Sequence, residues 1–388
     1  MRLRGLASGD HHFNVHSRLD ECVRVHHWMV GLAHSERVDL FLSGGDVHER
    51  LSSIAEREAV DHYLLGMASV CPVLITRGNH DRPGDLLGYQ RLSSAHPIIV
   101  EERAGVHHIA GAAIAAVAWP ERTTLVDASW SPDEVELRTR EALQGVLRGL
   151  GDELERHAGP RILLGHFMVD GSKVSTGQRL EGLPINVGLT ELALARASLG
   201  LMSHVHMPQA FDVGGNPHVY MGSPYRTDFG QLEKKTVRLF EFDDDRLVML
   251  EEIETPATPM VHLEDQWGFD VAKQADGWLY TLHGYEGPEG VRGAEVRFRY
   301  YVQAHKREAA REQAELVARQ LEDEGALVVK TEVVIQHDER ARTPEIGRAE
   351  SVVDKLPLHW QAMQFEPGPR RQPMLAKAAL LEQLSRDE

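Results

Sequence analysis

Along the first half of the chain, short apolar runs alternate with longer stretches in which apolar residues recur every three or four positions. Residues 38–42, 73–76, 110–118, 162–164 and 199–202 are predominantly apolar and of strand length, which is how strands buried on both faces read. Between them, residues 17–32 carry helical spacing. Ser53-Ile54-Ala55-Glu56 opens a second helix as a capping box, in which serine and glutamate satisfy free backbone donors. Such alternation predicts an α/β fold, a layered domain with helices packed on its sheets.

The pattern changes after Glu254. Thr255-Pro256-Ala257-Thr258-Pro259 reads as a linker. Past a Gly-rich stretch, Val296, Phe298, Tyr300 and Val302 alternate with Arg297, Arg299 and Tyr301, which is strand period. Ala310, Ala314, Val317 and Leu321 then form one stripe of a helix, and residues 326–335 read as a second strand. This β-α-β unit predicts a small second domain. Residues 344–360 are expected to hold another helix, followed by a break at Pro367-Gly368-Pro369 and a short terminal helix.

Composition narrows the class. The longest uncharged apolar stretch, residues 109–119, is well short of the roughly 20 residues that cross a bilayer, so no membrane span is expected. The first eight residues leave no room for a signal peptide's apolar segment. Cys22 and Cys71 sit in apolar-rich elements and read as two buried thiols of a cytoplasmic protein rather than a disulfide. The net charge of −17 opposes a generic nucleic-acid binder, because phosphate binding rests on Lys and Arg. Any such affinity must be local, ion-mediated or supplied by a partner. Histidine is the unusual residue: there are 22, several of them in loops just after predicted strands.

Five motifs occur in order, each where a strand gives way to a loop: Asp10-His11-His12, Gly44-Gly45-Asp46, Gly78-Asn79-His80-Asp81, Gly165-His166 and His204-Val205-His206. Groups at the carboxyl ends of strands meet at the rim of a sheet. Carboxylates, imidazoles and an amide oxygen without thiolates suit Mn²⁺, Fe²⁺ or Zn²⁺ better than a structural zinc site. Asp10 and His12 are expected on one extended stretch with side chains facing the same way, and His204 and His206 likewise. Any one motif alone is more often a loop cap; their joint occurrence in this strand context is not.

The set resembles the calcineurin-like metallophosphoesterase superfamily over residues 1–242. Tyr220-Met221-Gly222-Ser223-Pro224 and the following β-α-β unit resemble SbcD-type nuclease subunits in particular, and residues 343–360 resemble phage recombination nucleases. That resemblance implies a β-sandwich flanked by helices in residues 1–254, a capping domain in 260–340 and a helical partner-binding segment in 341–388. It implies that Asp10, His12 and His206 hold one divalent ion and Asn79, His166 and His204 a second, with Asp46 bridging and Mn²⁺ the expected metal. Two ions about 4 Å apart activate water and neutralise phosphate oxygens. His80, beside a ligand, is the expected proton donor. The implied substrate is DNA at its ends, double- or single-stranded, the implied partner an SbcC-type coiled-coil ATPase, and a homodimer is compatible.

The chain departs from the family at Ser203, where glycine is usual, and at Glu49, where Asp or His is common. The Glu49 carboxylate either orients His80 as a catalytic residue or is a solvated side chain near a helix start. His48 faces either DNA or solvent. Asp81 reads as a turn residue, and Arg77 and Arg82 as phosphate contacts or salt bridges. Cations outnumber acids in residues 292–319, which makes Arg297, Arg299, Lys306 and Arg307 candidates for a DNA-facing surface, against a plain solvated helix face. Two other functions stay open: a stand-alone phosphodiesterase for a small phosphoester or cyclic nucleotide, which would not need the last 140 or so residues, and a non-catalytic scaffold on a decayed site.

Overall fold

The computed structural model describes residues 2–121, 130–175, 178, 185–265, 282–336, 346, 349 and 351–386. It divides into two compact units: Met1–His262 with Gly290–Arg297 and Gly325–Val328, and the remainder of the chain.

The first unit is a mixed α/β sandwich. Strands β1 (Arg2–Ser8), β2 (Leu40–Ser43), β3 (Val73–Thr76) and β4 (Ile98–Glu101) run parallel as neighbours. Two antiparallel strands extend that sheet beyond β1: β13 (Thr236–Asp243) and β14 (Arg246–Glu254). The second sheet is built from β5 (Ala104–Ile109), β6 (Ala112–Val117), β7 (Arg161–His166), β10 (Leu199–Ser203), β11 (Gln209–Val213) and β12 (Asn216–Tyr220), in the order β11-β12-β10-β7-β6-β5. Two short strands, β8 (Met168–Val169) and β9 (Asn186–Val187), pair separately.

Strand alternation sorts the side chains into three cores. Leu40, Leu42 and Leu74 of the first sheet meet Ile114, Ile162, Leu164 and Leu201 of the second. The intervening residues, Phe41, Val73 and Ile75, face the other way, onto Val25, Met29, Val60, Leu64 and Met67. Those five belong to helices α1 (Leu19–Ser35) and α2 (Ile54–Val70). Leu163 and Met202 share the third core with Leu143, Leu147, Leu150 and Leu154 of the helix Pro132–Leu154. The capping box expected at Ser53 and Glu56 is formed, and a second, Ser131 with Glu134, opens Pro132–Leu154.

Beyond this domain, β15 (Met260–Asp265), β16 (Glu295–Gln303) and β17 (Val328–Gln336) form a three-stranded sheet in that order. Val296, Phe298, Tyr300 and Val302 are buried, as are Ala310, Ala314, Val317 and Leu321 of the helix Arg307–Asp323. The helix expected over residues 344–360 appears as Val352–Ala362, its earlier part falling largely outside the described residues. It packs on the terminal helix Arg371–Arg386, where Trp360 and Ala378 are buried. Both cysteines are free and buried. No helix among the described residues is long and apolar enough to cross a membrane.

Behind the loops that follow β1 and β2 lies a buried chain of hydrogen bonds. His26 Nδ1 donates to the Cys22 carbonyl at 2.7 Å, so its Nε2 accepts from His11 Nδ1 at 2.8 Å. His11 Nε2 in turn accepts from the Ser43 hydroxyl at 2.9 Å. Each link fixes the tautomer of the next, and both rings are neutral. Burial outweighs the bond to Cys22 and lowers His26 from 6.5 to about 4. A depressed imidazole costs nothing while both folded and unfolded states are neutral. It destabilises the fold as pH falls from about 6.5 towards 4, because only the unfolded chain then takes the proton. His26→Gln keeps a donor and an acceptor but does not titrate. Urea unfolding in chelator at pH 7.5 and 4.5 should therefore show a smaller acid-induced loss in the variant, by up to roughly 3 kcal/mol. Equal losses would contradict the assignment of His26 as a buried neutral ring.

Candidate metal centre

Sheet topology explains why five distant motifs meet. β1, β2 and β3 are adjacent and parallel, and so are β7 and β10. The Asp10, Asp46, Asn79, His166 and His204 motifs thus leave the carboxyl ends of parallel neighbours. The first two loops also zip together, Asp10 N donating to Gly45 O at 3.0 Å and His12 N to Asp46 O at 2.8 Å. Here the extended backbone expected around Asp10 and His12 is corrected. Their φ angles are 52° and 46°, with Asp46 at 49° and His204 at 95°. Left-handed backbone at non-glycine residues is strained and persists where its surroundings impose it. The loop-to-loop hydrogen bonds do so here.

The side chains form two groups around one carboxylate. Asp10, His12 and His206 offer ligand atoms within 4.8 Å of one another, and His12 Nε2 lies 2.9 Å from His206 Nε2. In the other group the Asn79 amide oxygen is 3.0 Å from His166 Nε2 and 2.8 Å from His204 Nδ1. Asp46 Oδ2 stands between them, 3.3 Å from His166 Nε2 and 3.8 Å from His12 Nε2. The outer nitrogens are held from behind: His166 Nδ1 donates to Gly44 O at 2.7 Å, and the Gln231 amide meets His206 Nδ1 at 2.7 Å.

Divalent ions fit this set. Asp10 Oδ1 accepts from His204 N at 2.9 Å, but the buried Oδ2 has no hydrogen-bond partner among the described residues. Burial lowers His12 and His166, yet neighbouring carboxylates outweigh it and hold both at about 9: Glu49, Asp46 and Asp10 for His12, Asp46 and Asp10 for His166. Burial would raise Asp46, yet the imidazoles hold its carboxyl well below the usual range. Protons on these rings stand where cations would, so loading the site must release protons.

His80 lies with His12 and Asp46 in a further cluster within 4.8 Å. Its Nδ1 donates to the Glu49 main-chain carbonyl at 2.9 Å, and its ring meets His12 edge-on at 5.0 Å. The Glu49 carboxylate does not orient His80: its Oε1 is 4.0 Å from His80 Nδ1, whereas Oε2 is 2.7 Å from His12 Nδ1. His48 faces neither DNA nor solvent. It is buried with Nε2 2.7 Å from the Tyr89 hydroxyl, and burial lowers it to about 4. Asp81 is a clamp, accepting from His48 N at 3.1 Å and Gly78 N at 3.0 Å. Arg77 is buried and pairs with Glu121 at 3.2 Å, while Arg82 is exposed. Ser203 fills a slot where a Cβ on Gly9 or Gly44 would overlap its hydroxyl.

Of the proposed DNA-facing cations, Arg299 is engaged by Glu332 at 2.9 Å and Glu264 at 3.5 Å. Arg297 lies 4.8 Å over the Phe229 ring. Lys306 and Arg307 are exposed. Sequence reasoning missed Gln231, Gln178, Tyr225, Lys235 and Trp119. Gln178 brackets the last motif, donating to His204 O and accepting from His206 N. Tyr225 donates to His12 O at 2.7 Å. Buried Lys235 donates to Ser223 Oγ at 2.9 Å, and the Trp119 ring lies 4.8 Å from His204. None carries a spacing signal; only Ser223, inside the Tyr-x-Gly-Ser-Pro segment, points to that neighbourhood. A cleft of about 300 Å³ opens on the cluster, lined by His12, Asp46, His80, His204 and His206.

Residues 4–192 match the family model for calcineurin-like phosphoesterases. The matched stretch holds Asp10, His12, Asp46, Asn79, His80 and His166, and ends before His204 and His206. No curated protein matches the chain. Solved structures that match include GAP50, the anchor in the inner membrane complex of Plasmodium, at 13% identity and a TM-score of 0.42, over 66% of this chain and 89% of that one. Another is TT1561 of Thermus thermophilus, at 14% identity and 0.39, over 61% and 94%.

Gly78 owes its identity to close approach, since a Cβ there would overlap the Asp46 carboxylate and amide. Gly78→Ala must displace Asp46 from between the two donor groups. We expect a folded protein that has lost most of its capacity to bind divalent ions and about 10²-fold in any phosphoester turnover, the scale of a 1 Å misplacement. Metal analysis and circular dichroism check this; full metal content with full activity would show that Asp46 has room to spare.

Proposed function

Since residues 4–192 match the family model for calcineurin-like phosphoesterases, we propose that this protein is a metal-dependent phosphoester hydrolase of that kind, and more specifically an Mn²⁺-dependent DNA phosphodiesterase. It acts at DNA ends as the nuclease subunit of an SbcC-type coiled-coil ATPase. The observation that carries the chemistry is the convergence of both donor groups on Asp46, with Asp10 Oδ2 buried and without a hydrogen-bond partner among the described residues. The Tyr-x-Gly-Ser-Pro segment and the units beyond the catalytic domain support the DNA reading.

Asp10, His12 and His206 would hold one ion, Asn79, His166 and His204 the other, and Asp46 both. The bound ions would supply an acidified water and neutralise phosphate charge. The chain supplies the proton. Because His80 Nδ1–H is committed to the Glu49 carbonyl, Nε2 is the atom that exchanges a proton with the leaving sugar oxygen. Asn14, Ser17 and Thr227 line the same cleft and offer hydroxyl and amide groups to a phosphoester.

The deciding experiment offers purified protein with Mn²⁺ a linear end-labelled duplex, closed circular single strands and bis-p-nitrophenyl phosphate. Whichever of these substrates is hydrolysed, hydrolysis should stop in chelator. His80→Ala should keep its metal and lose about 10²-fold in turnover, whereas His204→Ala should lose both. Cleavage of the small diester with intact DNA in every arm would favour a stand-alone phosphodiesterase, and an ion missing from His80→Ala would make that residue a ligand.

The partner should dock on the tail. Leu380 and Leu381 of the terminal helix are each 57% exposed, and Phe365 is 54% exposed, an apolar surface of the kind that helix-groove recognition uses. Deleting residues after Pro369 should leave hydrolysis of the small diester unchanged and weaken recovery of the coiled-coil ATPase in a pull-down. Equal recovery by both forms would refute it.

A further inference from the structure

The two ion sites differ in what stands behind their imidazoles. In the Asn79 group, His166 is backed by a main-chain carbonyl, Gly44 O, and His204 Nε2 has no partner among the described residues. In the Asp10 group, His206 is backed by the Gln231 side chain and His12 by a full negative charge, the Glu49 carboxylate at 2.7 Å. His12 is buried, whereas the Glu49 side chain is 35% exposed at the cleft wall. Glu49 serves a second group through a different atom, its main-chain carbonyl holding His80.

We propose that Glu49 is a positioning residue for the first ion: its carboxylate fixes His12 with the proton on Nδ1 and the Nε2 lone pair aimed at the ion. The proposal rests on the reading of Asp10, His12 and His206 as an ion site. The physics is that of a carboxylate behind a ligating imidazole, which selects the tautomer, stops ring rotation and raises ligand basicity. Because the His80 contact comes from the main chain, substituting the Glu49 side chain separates the two roles. His80 stays oriented while the support of His12 is lost.

The test is Mn²⁺ binding to chelator-stripped full-length protein, followed by calorimetry and by loss of the free-ion electron paramagnetic resonance signal. In a His166→Ala background, which disables the second group, Glu49→Ala should weaken binding by about 10- to 100-fold. Glu49→Gln should lose much less, because its amide oxygen can occupy the place of the carboxylate oxygen that stands 2.7 Å from Nδ1. In a His12→Ala background, Glu49→Ala should change nothing further, as two residues acting through one contact do. If the alanine variant fails to fold, Glu49→Met against Glu49→Gln gives the same comparison at constant size. Unchanged affinity in the His166→Ala background overturns the proposal. So does an undiminished effect without His12, which would make the carboxylate act on the ion directly. Stripped wild-type protein that binds no Mn²⁺ overturns the ion-site reading itself, and the proposal with it.

Discussion

The rim of the sandwich depends on how one carboxylate, Asp46, is held out of water. A buried charge must be compensated by hydrogen bonds and opposite charges. Asp46 Oδ1 accepts from His80 N at 2.9 Å, and Oδ2 faces the imidazoles of His12 and His166. Its backbone is left-handed, and Gly78 lies too close for any side chain. The second and third loops therefore fold as one piece. Asp81 completes the join, since its two oxygens hold Gly78 N in one loop and His48 N in the other. Burial and the nearness of Asp46 raise Asp81 to about 6, while these backbone donors oppose the shift.

Such a rim is costly, with left-handed non-glycine residues, buried polar atoms lacking partners and like charges close together. What sustains it is the apolar interior below. The core between the sheets, with Leu40, Leu42 and Leu74 against Ile114, Ile162 and Leu164, fixes the spacing between the loops of one sheet and those of the other. Close-packed interiors do not deform continuously. The candidate ligands that follow β1, β2 and β3 are thereby set against those that follow β7 and β10 by packing alone. The chain orders the site through its hydrophobic layers, and bound ions would neutralise what remains.

The strands that carry the later motifs were legible because they are buried on both faces and nearly free of charge; β3 runs from Val73 to Thr76, as its apolar run indicates. β1 was not legible. It bears Arg2 and Arg4 yet lies inside a sheet, which works because Arg2 pairs with Glu241 and Arg4 with Glu36, each at 2.5 Å, and Gly5 admits the Phe240 ring. Tertiary partners cancel a local signal there. Within the site, the convergence of the motifs could be read from their order, but the local backbone could not. Two residues at i and i+2 suggest an extended strand, and only long-range hydrogen bonds impose left-handed geometry on Asp10 and His12. The orientation of Glu49 was equally hidden, since its carboxylate has both His12 and His80 within reach and spacing cannot choose between them.

Net charge acquires a different meaning from this site. A chain at −17 repels polyanions at long range, and the Arg299 guanidinium that the sequence offers as a phosphate contact is already engaged by Glu264 and Glu332. The cleft itself is lined by Asp46, Glu49 and Asp228. Without ions this surface is a poor place for a phosphodiester. With ions at both donor groups, as proposed, the negative side chains would become ligands and supports, and the positive potential would be concentrated at the depth of a cleft, where screening by salt is weakest. Attraction of a phosphate would then depend on the same groups that are proposed to act on it. Such a site would discriminate against a phosphodiester in the unloaded state, which a surface of lysines and arginines would not do.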